Sequence, residues 1–330
     1  MPKPSSSGLQ LHDPPSSRFH SALKQWEILS ERLEMRMDDA LEDVFSLPDD
    51  DDIRFFAEHG WWISPVILSD DILDAALKGV ERYRRGEADR DLVEQATVFD
   101  TEASQESVLR QNGYLSLQIR EVAKLVNFPA LSQTAALLTG ADSIRLFHDR
   151  MIVKYPKRRD VSGILGWHTD RGYWRTCTST DMITAWIPFQ DTTADMGTLR
   201  FVDRSHRWRG NERMATAHEQ DMTALLERAS KLGPVEEVSV VVKRGQVSFH
   251  HCFTIHGSGP NFSEIERIAL AVHMQPSDNQ YQKAFGESGR PIGHLNDLLC
   301  AKTEKGDPDY SDPAIFPQLW PASTERQWYL

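Results

Sequence analysis

The spacing of apolar residues divides the chain into a helical first half and a strand-rich second half. In residues 19–45 and again in 102–138, apolar positions recur at helical spacing, which predicts two blocks of amphipathic helix, the second interrupted near Gly113 and Pro129. Gly140 ends the second block, and from residue 144 the pattern becomes alternating and rich in β-branched residues. We therefore expect helices that support a domain built mainly of β-strands.

Three further elements are predicted between the helical blocks. Residues 53–60 form a short helix pattern that stops at a glycine, and residues 61–68 form a strand pattern. Ser69 follows as the expected N-cap of a helix that runs through Tyr83. The acidic run at 49–52 is interpreted as a solvated loop or the start of a helix.

The second half contains a series of short apolar segments separated by Gly, Pro and Asp turns. Such a series after a helical first half predicts a double-sheet jelly roll backed by the N-terminal helices. A polar, partly helical insertion is expected at 206–232. The candidate strands are 144–155, 165–170, 182–189, 198–202, 236–242, 246–250, 253–256 and 267–275.

The same patterns define the expected domain organisation. Residues 1–18 are rich in Pro and Ser and are predicted to be a flexible tail. Residues 19–276 are expected to form a single domain, with helical support at 19–140 and the jelly-roll core at 143–276. Residues 277–330 are predicted to be an irregular, proline-rich extension that covers the mouth of the barrel as a lid or contacts another subunit.

Composition narrows the class of protein. A hydrophobic content of 40% and a charged content of 26% are typical of soluble globular proteins. The net charge of −12 argues against a nucleic-acid partner and gives no reason to expect an anionic membrane as a partner. Cys177, Cys252 and Cys300 are too few and too scattered for a disulfide framework. Without an apolar signal region, we expect a cytoplasmic enzyme, monomeric or homodimeric, that acts on a small molecule.

The candidate chemistry centres on residues 166–170, Gly-Trp-His-Thr-Asp. Side chains two positions apart on a strand share a face, so His168 and Asp170 are expected to converge on one point. A nitrogen and an oxygen ligand suit a first-row metal such as iron(II), and one more histidine would complete a 2-His-1-carboxylate site.

The third ligand is sought among His250, His251 and His256. We favour His256, because the turn residues that follow it would leave its ring at the barrel mouth. His250 and His251 are expected to have core or supporting roles. Arg267 begins the next strand and offers a bidentate guanidinium to a carboxylate, the alternative being an ion pair with a neighbouring glutamate, Glu264 or Glu266.

Four blocks carry a resemblance to a known family. They are residues 166–170, the strand 184–189 (Thr-Ala-Trp-Ile-Pro-Phe), residues 197–208, and the block 256–263 (His-Gly-Ser-Gly-Pro-Asn-Phe-Ser) with Arg267 beyond it. In order and spacing, residues 56–275 resemble the phytanoyl-CoA dioxygenase family of iron(II)- and 2-oxoglutarate-dependent oxygenases. At 203–206 the chain has Asp-Arg-Ser-His where many members have Pro-Gly-Ser-His, which puts the geometry of that turn in question.

The resemblance implies a double-stranded β-helix with His168, Asp170 and His256 as catalytic iron ligands. It implies that 2-oxoglutarate chelates iron through its 1-carboxylate and keto oxygen, and that Arg267 binds its 5-carboxylate. Three further residues are placed against the co-substrate by the same likeness: Ser258, Trp186 and, on the strand before the metal motif, Arg150.

Substrate contacts are expected from the residues that directly follow Asp170. Arg171, Tyr173 and Trp174 are candidates to overhang the pocket, and the alternative is a solvated loop with one or two rings in the core. His206 is interpreted as a structural residue in the turn between two strands.

The resulting hypothesis is a dioxygenase that uses Fe(II), 2-oxoglutarate and O₂ to hydroxylate an unactivated C–H bond of a small organic molecule, in natural-product biosynthesis. The alternatives within this chemistry are desaturation, cyclisation, epoxidation and endoperoxidation. Halogenation is disfavoured because Asp170 occupies the position that related halogenases leave to a small residue. A non-catalytic jelly-roll binding protein and a cupin-like metalloenzyme that uses no keto acid are more remote alternatives.

Overall fold

A computed structural model describes residues 45–92, 100, 108–158, 163–286 and 288–322. The predicted tail at 1–18 and nearly all of the helix predicted at 19–45 lie outside these residues.

The helices of the support region are short and begin and end at local signals. Helix α1 starts with a capping box, in which Asp49 accepts from the amides of Asp51 and Asp52, and it stops at Gly60 with a φ of 78°. The α-helices are α1 (Asp50–His59), α2 (Asp70–Arg84), α3 (Arg120–Val126), α4 (Pro129–Thr139), α5 (Asp170–Tyr173), α6 (Met222–Ala229) and α7 (Asn296–Leu299). Single 3₁₀ turns lie at Leu115–Leu117, Ala194–Met196, Ser205–Arg207 and Asn211–Arg213.

Two antiparallel sheets form the jelly roll. The larger sheet has the strand order β1-β8-β5-β10-β3-β13, with β2 pairing β3, and the smaller one has the order β4-β9-β6-β7. A separate pair, β11 and β12, completes the described strands. The strands are β1 (Trp61–Val66), β2 (Leu109–Gly113), β3 (Ile144–Lys154), β4 (Leu165–His168), β5 (Ile183–Pro188), β6 (Arg200–Val202), β7 (Glu237–Ser239), β8 (Gln246–His251), β9 (His256–Ser258), β10 (Arg267–Pro276), β11 (Ala284–Phe285), β12 (Pro291–Ile292) and β13 (Gln318–Trp320).

Strand β10 separates two interiors. Its residues 268, 270, 272 and 274 pack into the main hydrophobic core together with apolar side chains of α2, α3 and α4. The alternate residues Ala269 and Ala271 belong instead to a cluster with Trp186, Leu199 and Phe201, which come from both sheets. The space between the two sheets is therefore lined by the positions of β10 that begin with Arg267.

Most of the predicted architecture is confirmed, and the differences are local. The helical pattern read across 102–138 is wrong at Leu109–Gly113, which is a strand, because its polar residues pair with the edge of β3. The strand predicted at 253–256 starts only at His256, and the one predicted at 165–170 ends at His168.

The C-terminal extension is more ordered than predicted. Strand β13 joins the larger sheet beside β3, and the carbonyl of Leu319 accepts from the Ser132 hydroxyl of α4 at 3.2 Å. Helix α7 is held by the buried side chain of Asn296, whose amide donates to the carbonyl of Phe147 at 2.9 Å. The extension is therefore part of the folded domain.

Within the residues that the structure describes, no helix has the length and apolar character required to cross a bilayer.

Candidate metal centre

Two of the predicted ligands face each other across the smaller sheet. His168 at the end of β4 is the register partner of His256 at the start of β9, and their ring centroids are 4.2 Å apart. A Cβ at Gly257 would lie 3.0 Å from the carbonyl oxygen of Leu165, so a side chain at this position would require the neighbouring backbone to shift by a few tenths of an ångström. Gly257 thus allows the two histidines to lie close to each other.

Both imidazoles are oriented by backbone carbonyls. Nδ1 of His168 donates to the carbonyl of Gly166 at 2.7 Å, and Nδ1 of His256 donates to that of Thr254 at 2.9 Å. Nε2 of each ring is left as the metal-binding atom, the arrangement usual for metal-bound histidine. Burial lowers the pKa of His168 to about 3 and that of His256 to about 4, so both rings are neutral near pH 7.

Asp170 reaches the same point by a different route from the one predicted. The strand stops at His168, and Asp170 is the first residue of the single-turn helix α5, whose N-cap Thr169 accepts from the amide of Gly172. Oδ1 of Asp170 lies 3.6 Å from Nε2 of His256. The candidate ligand atoms of His168, Asp170 and His256 all lie within 4.8 Å of one another.

The second oxygen of Asp170 is held by its neighbours. Oδ2 accepts from the Thr184 hydroxyl at 2.7 Å, and the same hydroxyl accepts from Nδ1 of His273 at 2.8 Å. Nε2 of His250 lies 3.3 Å from this oxygen. Burial acts to raise the pKa of Asp170, but the His256 and His250 imidazoles outweigh it and hold that pKa well below its usual range. The carboxylate is therefore ionised, as a metal ligand requires.

Arg267 forms a second polar centre between the sheets. Its guanidinium is buried, lies 5.5 Å from the centroid of the Trp186 ring, and donates from Nη2 to the carbonyl of Gly197 at 3.2 Å. Nε and Nη1 have no hydrogen-bond partner among the described residues. Burial lowers the pKa of Arg267 to about 9. The alternative ion pair does not form with Glu266, which instead bonds Arg84 at 3.0 Å.

Lys154 is a buried lysine beside Arg267 that was not predicted from the sequence. The two residues are register partners on β3 and β10. Nζ of Lys154 donates to the carbonyls of Ser258 and Gly259 at 3.0 and 2.6 Å, which fixes the chain directly after the His-Gly-Ser block. Burial, assisted by Arg267, lowers the pKa of Lys154 well below its usual value, so this lysine acts mainly as a hydrogen-bond donor.

One cavity of about 560 Å³ contains both centres. It is lined by the three candidate ligands, by the four residues predicted against the co-substrate, Arg267, Ser258, Trp186 and Arg150, and by Tyr173 and Trp174. Arg171 does not line it. Its Nη1 donates to the carbonyls of Trp174, Cys177 and Ser179 at 3.0 Å each, so this arginine holds the following loop together.

Four histidines of the cavity wall were not predicted, namely His148, His218, His273 and His294. His148 and His273 are register partners on β3 and β10, and both line the cavity. Because these strands are buried on nearly all sides, their sequence does not reveal which face meets the cavity. His294 lies in the C-terminal extension, where the sequence carries no comparable signal.

The other sequence-predicted histidines lie around the site. His250 lines the cavity next to Asp170, and its supporting role stays a prediction. His251 lies outside the cavity, and its Nδ1 accepts from the amide of Phe253 at 3.2 Å. His206 lies in the 3₁₀ turn Ser205–Arg207 and donates from Nε2 to the carbonyl of Ala57 at 3.3 Å, a structural contact.

In the turn at 203–206, a residue other than glycine adopts a left-handed backbone conformation. Arg204 has a φ of 59°, in the left-handed region. The preceding Asp203 accepts from Nδ1 of His59 and Nε1 of Trp61, each at 2.8 Å, and the Arg204 amide donates to the carbonyl of His59. These bonds hold a strained turn in place.

The family model confirms the resemblance. The model of the family described as phytanoyl-CoA dioxygenase (PhyH) matches residues 56–269. This chain belongs to the phytanoyl-CoA dioxygenase family. Membership confirms the family predicted from the sequence.

One curated protein is similar to part of the chain. A protein named probable α-ketoglutarate-dependent hypophosphite dioxygenase, from Stutzerimonas stutzeri, is 27% identical over 139 residues, which are 42% of this chain and 47% of that protein. The chain thus matches about half the length of this curated relative.

Solved structures share the fold. The α-ketoglutarate-dependent carbocyclase SnoK from nogalamycin biosynthesis has a TM-score of 0.64 and 23% identity, over 82% of this chain and 96% of its own. The epimerase SnoN, solved with Fe³⁺, α-ketoglutarate and nogalamycin RO, has a TM-score of 0.60 and 22% identity, over 82% and 98%. The jelly-roll prediction is thereby confirmed, while the cytoplasmic location and the oligomeric state stay predictions.

Proposed function

We propose that this protein is an iron(II)- and 2-oxoglutarate-dependent oxygenase that hydroxylates an unactivated C–H bond of a small organic molecule. The observation that carries the proposal is one cavity in which a two-histidine, one-carboxylate cluster and a buried, partly unpaired arginine occur together. A metal site alone would suit many reactions. The arginine adds a place for a carboxylate, which a keto acid supplies.

The residues present fit iron(II). Two neutral imidazoles and one ionised carboxylate are the donors of the facial set that leaves positions open for other ligands. His168 and His256 direct Nε2 toward the carboxylate oxygen of Asp170, and Thr184 keeps that carboxylate in place. In this arrangement bound iron(II) supplies the activation of O₂ that accompanies decarboxylation of 2-oxoglutarate to succinate and CO₂.

The residues around Arg267 fit the distal carboxylate of 2-oxoglutarate. Nε and Nη1 of this arginine lack acceptors among the described residues, and a buried donor of this kind needs one. Ser258 and Trp186 line the same cavity, and Trp186 packs against the guanidinium. The carbonyl of Gly197 accepts from Nη2 of Arg267 at 3.2 Å and thereby helps to orient the guanidinium.

Apolar walls contribute by excluding water. The cavity is bordered by Trp186, Leu199 and Ala271, all buried. A low-dielectric wall strengthens the contact between Arg267 and a carboxylate. It also protects the reacting carbon of a bound substrate from solvent. Tyr173 and Trp174 are proposed substrate contacts at the side of the ligand cluster, whereas Arg171 has a structural role.

A role in specialised biosynthesis is part of the proposal. The SnoK and SnoN structures, whose names place them in nogalamycin biosynthesis, support it as neighbours in fold. The test is succinate formation by protein given iron(II), 2-oxoglutarate and air, with a panel of natural-product precursors, followed by product mass. A gain of one oxygen supports hydroxylation. A loss of two hydrogens would replace it by desaturation or ring closure, and the absence of succinate throughout would contradict the proposal.

A further inference from the structure

We propose that His294 of the C-terminal extension, together with His148 and Arg150, forms a subsite that binds an oxyanion of the primary substrate, a carboxylate or a phosphorus oxyanion. This inference rests on the function proposed above and concerns the substrate class of the same cavity. It assigns a role to a part of the chain that lies beyond residues 56–269, the segment shared with the family.

The extension places His294 firmly against the barrel. Two residues further on, the buried Asn296 donates to the carbonyl of Phe147 at 2.9 Å and accepts from the Tyr114 hydroxyl. The His294 ring packs on Phe147 with 5.0 Å between ring centroids. The histidine is thus a fixed part of the cavity wall, and we infer that the extension acts here as a wall rather than as a mobile lid.

The two histidines present unused hydrogen-bonding capacity. Nδ1 of His294 accepts from the amide of Asn296 at 3.2 Å, which leaves the proton of the neutral ring on Nε2 as a donor. Nε2 of His148 is buried without any partner among the described residues. The ring centroids lie 5.2 Å apart, and both side chains line the cavity. A buried nitrogen without a partner is unusual in a folded protein and points to a ligand atom.

Arg150 supplies the charge of this subsite. It follows His148 by two positions on β3, so both side chains lie on the same face. Within the described residues the Arg150 guanidinium makes no hydrogen bond or ion pair, and Asp149 beside it is turned away to Ser116, whose hydroxyl donates to it. Arg150 precedes Lys154, the register partner of Arg267, by four positions on β3 and pairs with Ala271.

The net charge of the cavity favours binding of a second anion. Asp170 is the only carboxylate among the described lining residues, whereas Arg150 and Arg267 are both cationic. With iron(II) bound, a dianionic 2-oxoglutarate leaves one positive charge uncompensated, and a monoanionic group on the substrate would neutralise it. Trp174 stands edge-on to His148 with centroids 6.0 Å apart, so the rest of the substrate meets an aromatic surface.

The test uses three probes of equal chain length: hexanoate, hexylphosphonate and hexanamide. Each is titrated by calorimetry into the protein loaded anaerobically with iron(II) and 2-oxoglutarate. We expect at least one of the two acids to bind at least tenfold more tightly than the amide, and the tighter acid identifies the oxyanion. His294→Phe and His148→Phe should each weaken binding of that acid about tenfold or more, while His294→Gln, which keeps an N–H donor, should retain most of it.

Binding of 2-oxoglutarate to each variant is the control that the protein is folded and that its co-substrate site is intact. Equal binding of acid and amide, no binding of any probe, or an unchanged acid affinity in both Phe variants would overturn the inference. An Arg150→Gln variant that loses 2-oxoglutarate binding but still binds the acid with wild-type affinity would also overturn the inference, because Arg150 would then bind the co-substrate. Failure of the wild-type protein to bind 2-oxoglutarate would instead contradict the function proposed above.

Discussion

His168 and His256 are direct register partners across β4 and β9, with their ring centroids 4.2 Å apart and each Nδ1 donating to a main-chain carbonyl. The pair is therefore positioned by backbone pairing and needs no metal to bring the rings together. A metal ion that binds Nε2 of both rings meets a prearranged site, to which Asp170 adds the charge.

Asp170 and Thr184 should affect metal binding to different degrees. Asp170→Asn removes the anionic ligand, so iron(II) affinity should fall by more than the roughly 10- to 100-fold typical for loss of a supporting contact. Thr184→Val removes only the hydroxyl that donates to Oδ2 and should fall within that smaller range. Titration with iron(II) under anaerobic conditions measures both. An Asp170→Asn variant with wild-type affinity would remove this residue from the site.

Arg267 should determine the affinity for 2-oxoglutarate. Arg267→Leu removes a desolvated charge partner, a loss on the order of 2–5 kcal/mol, so the KM for 2-oxoglutarate should rise by roughly 30-fold or more. Arg267→Lys keeps the charge and loses the bidentate geometry, and a smaller rise is expected. The KM measured at saturating substrate distinguishes the two. If Arg267→Leu leaves the KM unchanged, another basic residue holds the carboxylate.

The turn at 203–206 yields a prediction about stability. Asp203→Leu leaves the ring N–H groups of His59 and Trp61 without their acceptor, and the free energy of unfolding should drop by about 1–3 kcal/mol. Arg204→Gly relieves a left-handed backbone but adds chain entropy to the unfolded state, so its effect should stay within about 1 kcal/mol. Urea unfolding of both variants is the measurement. A larger loss for Arg204→Gly than for Asp203→Leu would contradict this account.

Stability should fall as the pH drops below about 6.5. Burial lowers the pKa of His206 to about 4 and that of His251 to about 3, whereas an unfolded histidine titrates near pH 6.5. Between these values the unfolded chain binds protons that the folded chain excludes, so each group costs about 1.4 kcal/mol per pH unit on acidification. His206→Gln keeps a donor for the Ala57 carbonyl and should flatten the dependence between pH 6 and 4.5. An identical slope in this variant would show that His206 is charged in the folded state.

The elements of the site that could be predicted are those whose residue type and spacing carry the chemistry. His168, Asp170 and His256 stand out as ligands, and Arg267 stands out as a charge that enters a buried strand. The route by which Asp170 reaches the cluster was predicted incorrectly. Thr169 caps a helical turn there, a local hydrogen bond that competes with strand geometry.

The supporting residues could not be predicted, for a physical reason. Strand β3 is packed on nearly every side, and its polar residues His148, Asp149 and Arg150 are consecutive, so they give no alternation that marks an inward face. Lys154 and His148 pair with Arg267 and His273 on β10, which are distant from them in the sequence. His294 reaches the cavity through contacts of Asn296 with Phe147 and Tyr114, which are distant in the sequence.

The central claim is that one cavity holds both a metal and 2-oxoglutarate, and the most direct measurement is metal-dependent binding of 2-oxoglutarate. Calorimetric titration under anaerobic conditions would compare the wild-type protein with and without iron(II), and with Asp170→Asn and Arg267→Leu. The account predicts tight binding only when iron(II) is present, weakened by either substitution. Binding of equal strength without the metal, or unaffected by both substitutions, would contradict it.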